Sequence, residues 1–480
     1  MTVGTPFERA AADAARKLSA RLGALNVLVG ADIPERYSRD WSGDHAGAPA
    51  MVLRPADTAG VAEAVRVCAA HGVDVIPQGG HTGLVGGATP DTPGQAVLSL
   101  ERLDRVRGVD AVAMTMEVEA GCILHAAKEA AAAHGCLLPL ALGAQGSCQI
   151  GGNVATNAGG LNVLRYGMAR AMVLGLEVVL ADGSVHSDLR ALRKNNTGLD
   201  LKQLFIGTEG TLGIVTAATL RLQPRPNHVE TLWLCADGVA DAMALYEAIR
   251  REAGELLSAF ELMTGPCLPL AAELDPAIPF LGEVEGFAAH VLVEISSSGG
   301  PELRSWVEDL VAGLFERGLA QGGLMAQTGA QTDAMWRVRE LIVEAQQRRG
   351  VHLRTDVSVP ISAIAPFTGA ATQALEEALP GIEVVAYGHA GDGNMHVVAL
   401  PPQGMPQQDF AARLDALSAC VNDAVDRFGG SISAEHGIGL AKRGALERRL
   451  SPVDRRLKLA IKSVLDPQAR LSPGRILTAG

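Results

Sequence analysis

Two glycine-rich stretches constrain this chain more than anything else in it. Residues 77–90 read Pro-Gln-Gly-Gly-His-Thr-Gly-Leu-Val-Gly-Gly-Ala-Thr-Pro, with five glycines between Gly79 and Gly87. Residues 143–167 carry seven more, interleaved with Ser147, Thr156, Asn157 and Arg165. Glycine tolerates positive φ and lets backbone N–H groups come close to an anion, and Thr82 adds a side-chain donor. Neither stretch is a GxGxxG turn between a strand and a helix, and neither is a Walker A loop, so both of those phosphate-binding folds are excluded. Residue chemistry leaves two readings: a loop pair cradling a phosphate-bearing cofactor, or two structural turn clusters.

The surroundings of these loops read as interleaved strands and helices. Residues 6–22 form an Ala-rich amphipathic helix. Val61, Ala64, Val65, Cys68 and Ala69 follow helical spacing, with Asp57 and Thr58 as a start and Gly72 as a stop. The run Val73–Ile76 is a strand that delivers the chain into the first loop, and Gly175–Leu180 is another. Beyond Pro224 and Pro226 the pattern changes to strands at 231–236, 258–263, 290–296, 382–387 and 395–400. Helices at 239–252 and 301–318 lie among them, and Phe410, Leu414, Leu417 and Val421 share one face of a further helix. Ser451-Pro452 opens a last helix by the N-cap and N1 preferences.

The expected class is therefore α+β. An N-terminal helical segment (1–46) precedes a cofactor domain (47–226), which is followed by an antiparallel-sheet domain with helices on one side (227–430). A C-terminal segment (431–480) returns towards the first domain. A chain of 480 residues is too long for one core, which agrees with this division. A formal charge of −12 with no Lys/Arg run argues against nucleic acid as a partner. The seven cysteines lack zinc-finger or CxxC spacing and read as reduced, mostly buried thiols of a cytoplasmic protein. No transmembrane segment is expected, and at most a peripheral association with the inner membrane face.

A second cluster carries chemistry. Residues 387–398 read Tyr-Gly-His-Ala-Gly-Asp-Gly-Asn-Met-His-Val-Val, where a Gly-Asp-Gly turn can bring His389 and His396 together. Downstream, Ser-Ala-Glu-His-Gly supplies Glu435 and His436. Two imidazoles and a carboxylate suit a catalytic divalent site with open positions, although the same residues also serve as hydrogen-bonded loop groups. Arg339 and Arg354 are candidate partners for a carboxylate substrate.

Three long motifs resemble a known family. They are Pro-x-Gly-Gly-x-Thr-Gly-Leu-Val-Gly-Gly, Gly-Ser-Cys-Gln-Ile-Gly-Gly-Asn-Val-Ala-Thr-Asn-Ala-Gly-Gly, and Leu-Phe-Ile-Gly-Thr-Glu-Gly-Thr-Leu-Gly-Ile-Val-Thr. They resemble the PCMH-type (vanillyl-alcohol oxidase-like) FAD-binding domain, in the branch of D-2-hydroxyglutarate dehydrogenase, D-lactate dehydrogenase and the glycolate oxidase flavin subunit. The resemblance implies FAD held by Gln78, Gly79, Gly80, His81, Thr82, Gly83, Gly143, Ser147, Gly151, Gly152, Asn157, Gly160, Glu209 and Ile214.

His-x-Gly-Asp-Gly-Asn-x-His and Ala-Glu-His-Gly resemble that branch's metal and catalytic motifs. The resemblance implies a divalent ion on His389, His396 and Glu435, with zinc expected and manganese or iron as alternatives, and His436 as the proton acceptor. Arg339 is implied as the substrate arginine. Val343, Arg354 and Val398 stand where the D-2-hydroxyglutarate dehydrogenase pattern has Thr, Lys and Asn, so the expected substrate is a small D-2-hydroxy acid, D-lactate-like or D-2-hydroxyglutarate-like. The alternatives are a flavin subunit of a glycolate-oxidising complex and a non-redox enzyme of the alkylglycerone-phosphate synthase type. A quinone or an electron-transfer flavoprotein is the implied electron acceptor, and a homodimer is compatible with the family. His81 stands where this branch usually has Asn; in other flavoproteins of the fold, Gly-Gly-His marks a histidine bonded covalently to the flavin. Covalent and purely hydrogen-bonding roles both remain open for His81.

Overall fold

The computed structural model describes residues 6–299 and 302–476. The chain divides into two units. One is formed by Met1–Gly160, Tyr166–Arg225 and Glu435–Gly480, the other by Leu161–Arg165 and Pro226–Ala434.

Among the described residues the first unit contains two main sheets over a shared apolar core, and a two-stranded pair of Cys136–Leu137 with Gln223–Pro224. In the smaller sheet the strands lie in the order Val27–Val29, Met51–Leu53, Ala96–Ser99, Val75–Gln78, and the last three run parallel. Parallel neighbours need crossover connections, and the helix Thr58–His71 supplies one. Asp57 caps that helix by accepting from the Gly60 N–H, and Gly72 ends it at φ 69°. The larger sheet is antiparallel, in the order Val106–Asp110, Thr115–Glu119, Ile214–Arg221, Val173–Val179, Val185–Asp188. Its central strand is buried along seven of its eight residues. Leu98, Val65, Met116 and Val178 belong to the shared core.

A late stretch of chain completes this unit. The Val75 N–H donates to the Arg470 carbonyl at 2.9 Å. Arg470 reaches back to Asp74 and to the Gly72 carbonyl, both at 2.9 Å. Arg475 is fully buried and pairs with Asp91 at 2.7 Å. Unpaired, such a charge would be very costly to bury, so these contacts pin residues 470–475 onto the strand that leads into the first glycine loop and onto that loop's far end.

The second unit is built on one antiparallel sheet. Its order is Gly322–Met325, His228–Ala236, Ala289–Ser297, Leu257–Thr264, Glu383–Gly388, Asn394–Leu400, Leu353–Arg354, and Val357–Ser358 also pairs with Asn394–Leu400. The antiparallel sheet is as expected, but helices lie on both of its faces rather than on one. Consecutive strand residues point to opposite sides. Phe260 meets Tyr246 of the helix Val239–Ala253, with ring centroids 5.1 Å apart. Glu261, the next residue, meets Arg339 of the helix Gly329–Arg348. The signal was a continuous rather than alternating apolar run, Leu-Trp-Leu-Cys-Ala at 232–236, which marks a strand buried on both faces. The helix expected across Phe410–Val421 is two, Gln407–Ala411 and Leu414–Arg427. Among the described residues no helix is long and apolar enough to cross a membrane.

Candidate active site

The two glycine stretches meet in the first unit around a cavity of about 330 Å³. Their backbones touch: a Cβ on Gly80 would lie 2.0 Å from the Ser147 carbonyl oxygen, so no larger residue fits there. By contrast, a Cβ on Gly83, Gly143 or Gly152 would meet nothing within 4 Å. All three of these line the cavity, so the glycines leave its wall open where a ligand can approach the backbone closely. Residues 207–215 add Glu209 and Ile214 to the wall, and the C-terminal segment adds Glu435 and His436.

Three non-glycine residues here hold left-handed backbone conformations: His81 at φ 55°, Asn157 at 51° and Glu209 at 52°. Such a conformation costs about 1–3 kcal/mol and persists only where the surroundings impose it. His81 is held at both ring nitrogens, Nδ1 against the Arg36 carbonyl at 2.8 Å and Nε2 against the Thr89 hydroxyl at 3.0 Å. Burial lowers its pKa, which favours the neutral ring. Asn157 accepts from the Arg170 N–H at 2.9 Å. The Glu209 carboxylate accepts from the N–H groups of Ile438 and Gly439, both at 2.8 Å. Desolvation raises the Glu209 carboxyl above its ordinary value, and these donors pull the other way. Glu209 therefore ties the 207–215 loop to the segment that carries Glu435 and His436.

Most residues expected around the cofactor line this cavity, with different duties. Gln78 donates to the carbonyls of Ala88 and Tyr37, at 2.9 and 3.3 Å, and so braces its own loop. Ser147, Asn157 and Gly160 are not among the cavity's lining residues: the Ser147 carbonyl packs against Gly80, and the Gly160 N–H donates to Glu435. Sequence reasoning passed over Gln149. Its side chain is 8% exposed and its amide oxygen is buried without a partner among the described residues, in the cavity wall. Buried acceptors are normally satisfied, so Gln149 marks a place for a ligand N–H. An unsatisfied acceptor beside open glycine backbone fits a flat heteroaromatic cofactor that also carries phosphates.

The second unit holds the histidine pair. His389 follows the strand Glu383–Gly388, and His396 lies on Asn394–Leu400. The turn between them sets their rings at 81° with centroids 6.0 Å apart, and a ligand nitrogen from each lies within 4.8 Å of the other. Both rings are anchored through Nδ1. That of His389 lies 2.5 Å from Glu261 Oε1, and that of His396 lies 3.3 Å from the Thr355 carbonyl. An acceptor on Nδ1 fixes the proton there and leaves Nε2 as the lone-pair donor.

Glu261 was not among the expected residues. It is 1% exposed, and its second oxygen accepts from Arg339 Nε at 3.0 Å. Burial pushes its carboxyl up, but His389 and Arg339 outweigh burial and hold it down at about 2. Arg339 is 8% exposed and stacks over the Tyr387 ring at 4.5 Å. Its two terminal nitrogens make no hydrogen bond among the described residues. Of the other expected substrate residues, Val343 is exposed on the helix Gly329–Arg348 and Arg354 is exposed at the sheet edge. Val398, directly across from Arg354, is buried in the apolar core of this unit.

Residues 49–188 match the FAD binding domain family, and residues 225–476 match the C-terminal domain of FAD linked oxidases. The chain belongs to the FAD-linked oxidase family; it is an oxidoreductase with FAD as cofactor. Among curated relatives, D-2-hydroxyglutarate dehydrogenase of Xanthomonas citri pv. viticola is 40% identical over 446 residues, 92% of each chain. The mitochondrial D-2-hydroxyglutarate dehydrogenase of Bos taurus is 38% identical over 440 residues, 91% of this chain and 78% of that one. Among solved structures, p-cresol methylhydroxylase with substrate bound superposes with a TM-score of 0.78 at 20% identity, covering 98% of this chain and 97% of that one. Alkyldihydroxyacetonephosphate synthase gives 0.72 at 17%, covering 96% and 84%. At these identities the two structures establish the shared fold alone.

Proposed function

We propose that this chain oxidises the C2 hydroxyl of a small D-2-hydroxy acid, of the D-2-hydroxyglutarate or D-lactate kind, to the 2-oxo acid. The observation that carries the reading is the anchored pair His389 and His396, each with an acceptor on Nδ1, beside a buried arginine whose terminal nitrogens make no hydrogen bond among the described residues. Imidazole nitrogens and a guanidinium, two of them joined by the Glu261 carboxylate, suit an anionic, chelating substrate. The sign of C2 and the dicarboxylate alternative come from the named relatives.

In this reading His389, His396 and Glu435 hold a divalent ion. Two imidazoles and one carboxylate are the donor set of catalytic zinc, with manganese or iron as the alternatives. A bound ion supplies Lewis acidity at the hydroxyl, as zinc lowers the pKa of its water from 15.7 to about 7. Bound FAD supplies the two-electron acceptor for the hydride from C2. The protein does the rest. The terminal nitrogens of Arg339 bind the substrate carboxylate as a fork. His436, on the wall of the cofactor cavity, takes the hydroxyl proton. Arg354, exposed at the sheet edge, is assigned to a second carboxylate, and Val343 presents a side chain with no hydrogen-bonding group. The electrons then pass to a quinone or an electron-transfer flavoprotein.

The test is anaerobic bleaching of the flavin by a panel of D- and L-lactate, D- and L-2-hydroxyglutarate and glycolate. A D acid with at least three carbons should bleach it fastest. Bleaching by glycolate alone would favour the glycolate-oxidising alternative, and bleaching by none of them would overturn the proposal.

A further inference from the structure

Glu261 joins two groups to which the proposed reaction gives separate tasks. It lies within the strand Leu257–Thr264, on the face covered by the helix Gly329–Arg348, and is almost wholly buried. One oxygen sits 2.5 Å from His389 Nδ1 and the other accepts from Arg339 Nε at 3.0 Å. The two partners approach from different elements, His389 from the end of the strand Glu383–Gly388 and Arg339 from the helix. Tyr387 closes the far side of the guanidinium, so Arg339 is held by stacking on its face and by a hydrogen bond at one corner.

We propose that Glu261 is a positioning residue that sets the metal-facing nitrogen of His389 and the substrate-facing edge of Arg339 together. This rests on the reading of His389 as a metal ligand and of Arg339 as the carboxylate's partner. The argument is one of donor and acceptor capacity. An ionised carboxylate only accepts, so His389 must carry its proton on Nδ1, and the lone pair available to an ion is on Nε2. The same carboxylate takes Nε of Arg339, leaving the two terminal nitrogens as the free edge of the fork. No other side chain can replace it without loss. Glutamine offers one acceptor and one donor, so it can satisfy the histidine or the arginine but turns an N–H towards the other.

The test uses the full-length holoprotein and Glu261→Gln. Zinc affinity is read by titration against a chromophoric chelator, and the KM for the fastest substrate of the panel is read with an artificial dye. FAD content serves as the control for folding, and the thermal midpoint reads stability. Removing such an outer partner typically weakens metal binding by roughly 10–100-fold, and that loss is expected here together with a rise in KM of at least about tenfold. FAD content should stay near wild type, while the thermal midpoint falls because the buried Arg339 loses its counter-charge. Glu261→Asp, which keeps two acceptors but shortens the reach, should recover part of both. A lower thermal midpoint with zinc affinity and KM unchanged would overturn the proposal and leave Glu261 as a core neutraliser of Arg339.

A second measurement needs no metal. In histidine-labelled wild-type protein stripped of divalent ions, the His389 ring, assigned by its loss in His389→Gln, should be protonated at Nδ1. A ring protonated at Nε2 alone would overturn the proposal whatever the metal content. A ring protonated at Nδ1 in a protein that binds no zinc would instead uphold Glu261's hold on His389 and count against the metal reading.

Discussion

His81 shows how single atoms bear on a question that a motif left open. Its sequence context, Gly-Gly-His, suits a covalent flavin link, and any such link must use a ring nitrogen. Both nitrogens are already engaged, with Arg36 and Thr89, and the ring is wedged in a left-handed backbone position. A covalent bond would break one of these contacts. All of the flavin should therefore pass into the supernatant on acid precipitation, and a yellow pellet would show the opposite. His436 makes the complementary case. Replacing it by Ala should abolish substrate bleaching of the flavin while bound FAD and zinc stay near wild-type amounts, because in the proposed reaction it moves a proton and holds neither group. The loss expected for a general base is roughly 10²–10⁴-fold in rate, measured by rapid mixing with the best D acid. Of the residues at these sites, His389, His396, Glu435 and His436 were legible because glycine turns flag them in short motifs. Glu261 was not. It is a lone acid in an apolar strand, 128 residues from the histidine it holds, and no local spacing announces such a partner.

At the scale of elements, legibility followed the strength of local punctuation. The helix Thr58–His71 could be read from Asp57 and Gly72, and the last helix from Ser451-Pro452, because a capping side chain and a fixed φ act within one turn. The two-sided cover of the second unit's sheet was misread, since a strand with apolar residues on both faces has no alternation to count. The junction between the 207–215 loop and the 435–439 segment was also invisible, because it is made by one carboxylate and two backbone N–H groups. That junction can be tested. Glu209→Ala leaves the Ile438 and Gly439 N–H groups without their acceptor, which costs roughly 1–3 kcal/mol for a buried donor. The variant should melt several degrees lower and release FAD faster, both read in one thermal ramp followed by flavin fluorescence. Unchanged melting and release would mean that the segment is held by other contacts.

For the whole molecule, thiol chemistry is the simplest readout. Six of the seven cysteines are buried and only Cys420 is partly exposed. Burial pushes Cys68, Cys235 and Cys267 up to about 12 and Cys122 to about 11, so little thiolate exists at those sites near neutral pH. A disulfide-exchange reagent should label one thiol quickly in the native protein and seven after denaturation. Several fast native thiols would contradict the packing of both units. The other feature of this scale is the pairing of Arg470–Arg475 with the strand and loop that begin at Val75. The contact between Gly72 and Arg470 spans 398 residues. During synthesis at about 5–20 residues per second, that strand emerges roughly 20–80 s before the segment that covers its edge. For that interval the nascent first unit presents a strand with one edge uncovered and an unfinished cofactor loop. Chaperone occupancy on the chain should therefore persist until residues near 475 are exposed and can pair with that strand.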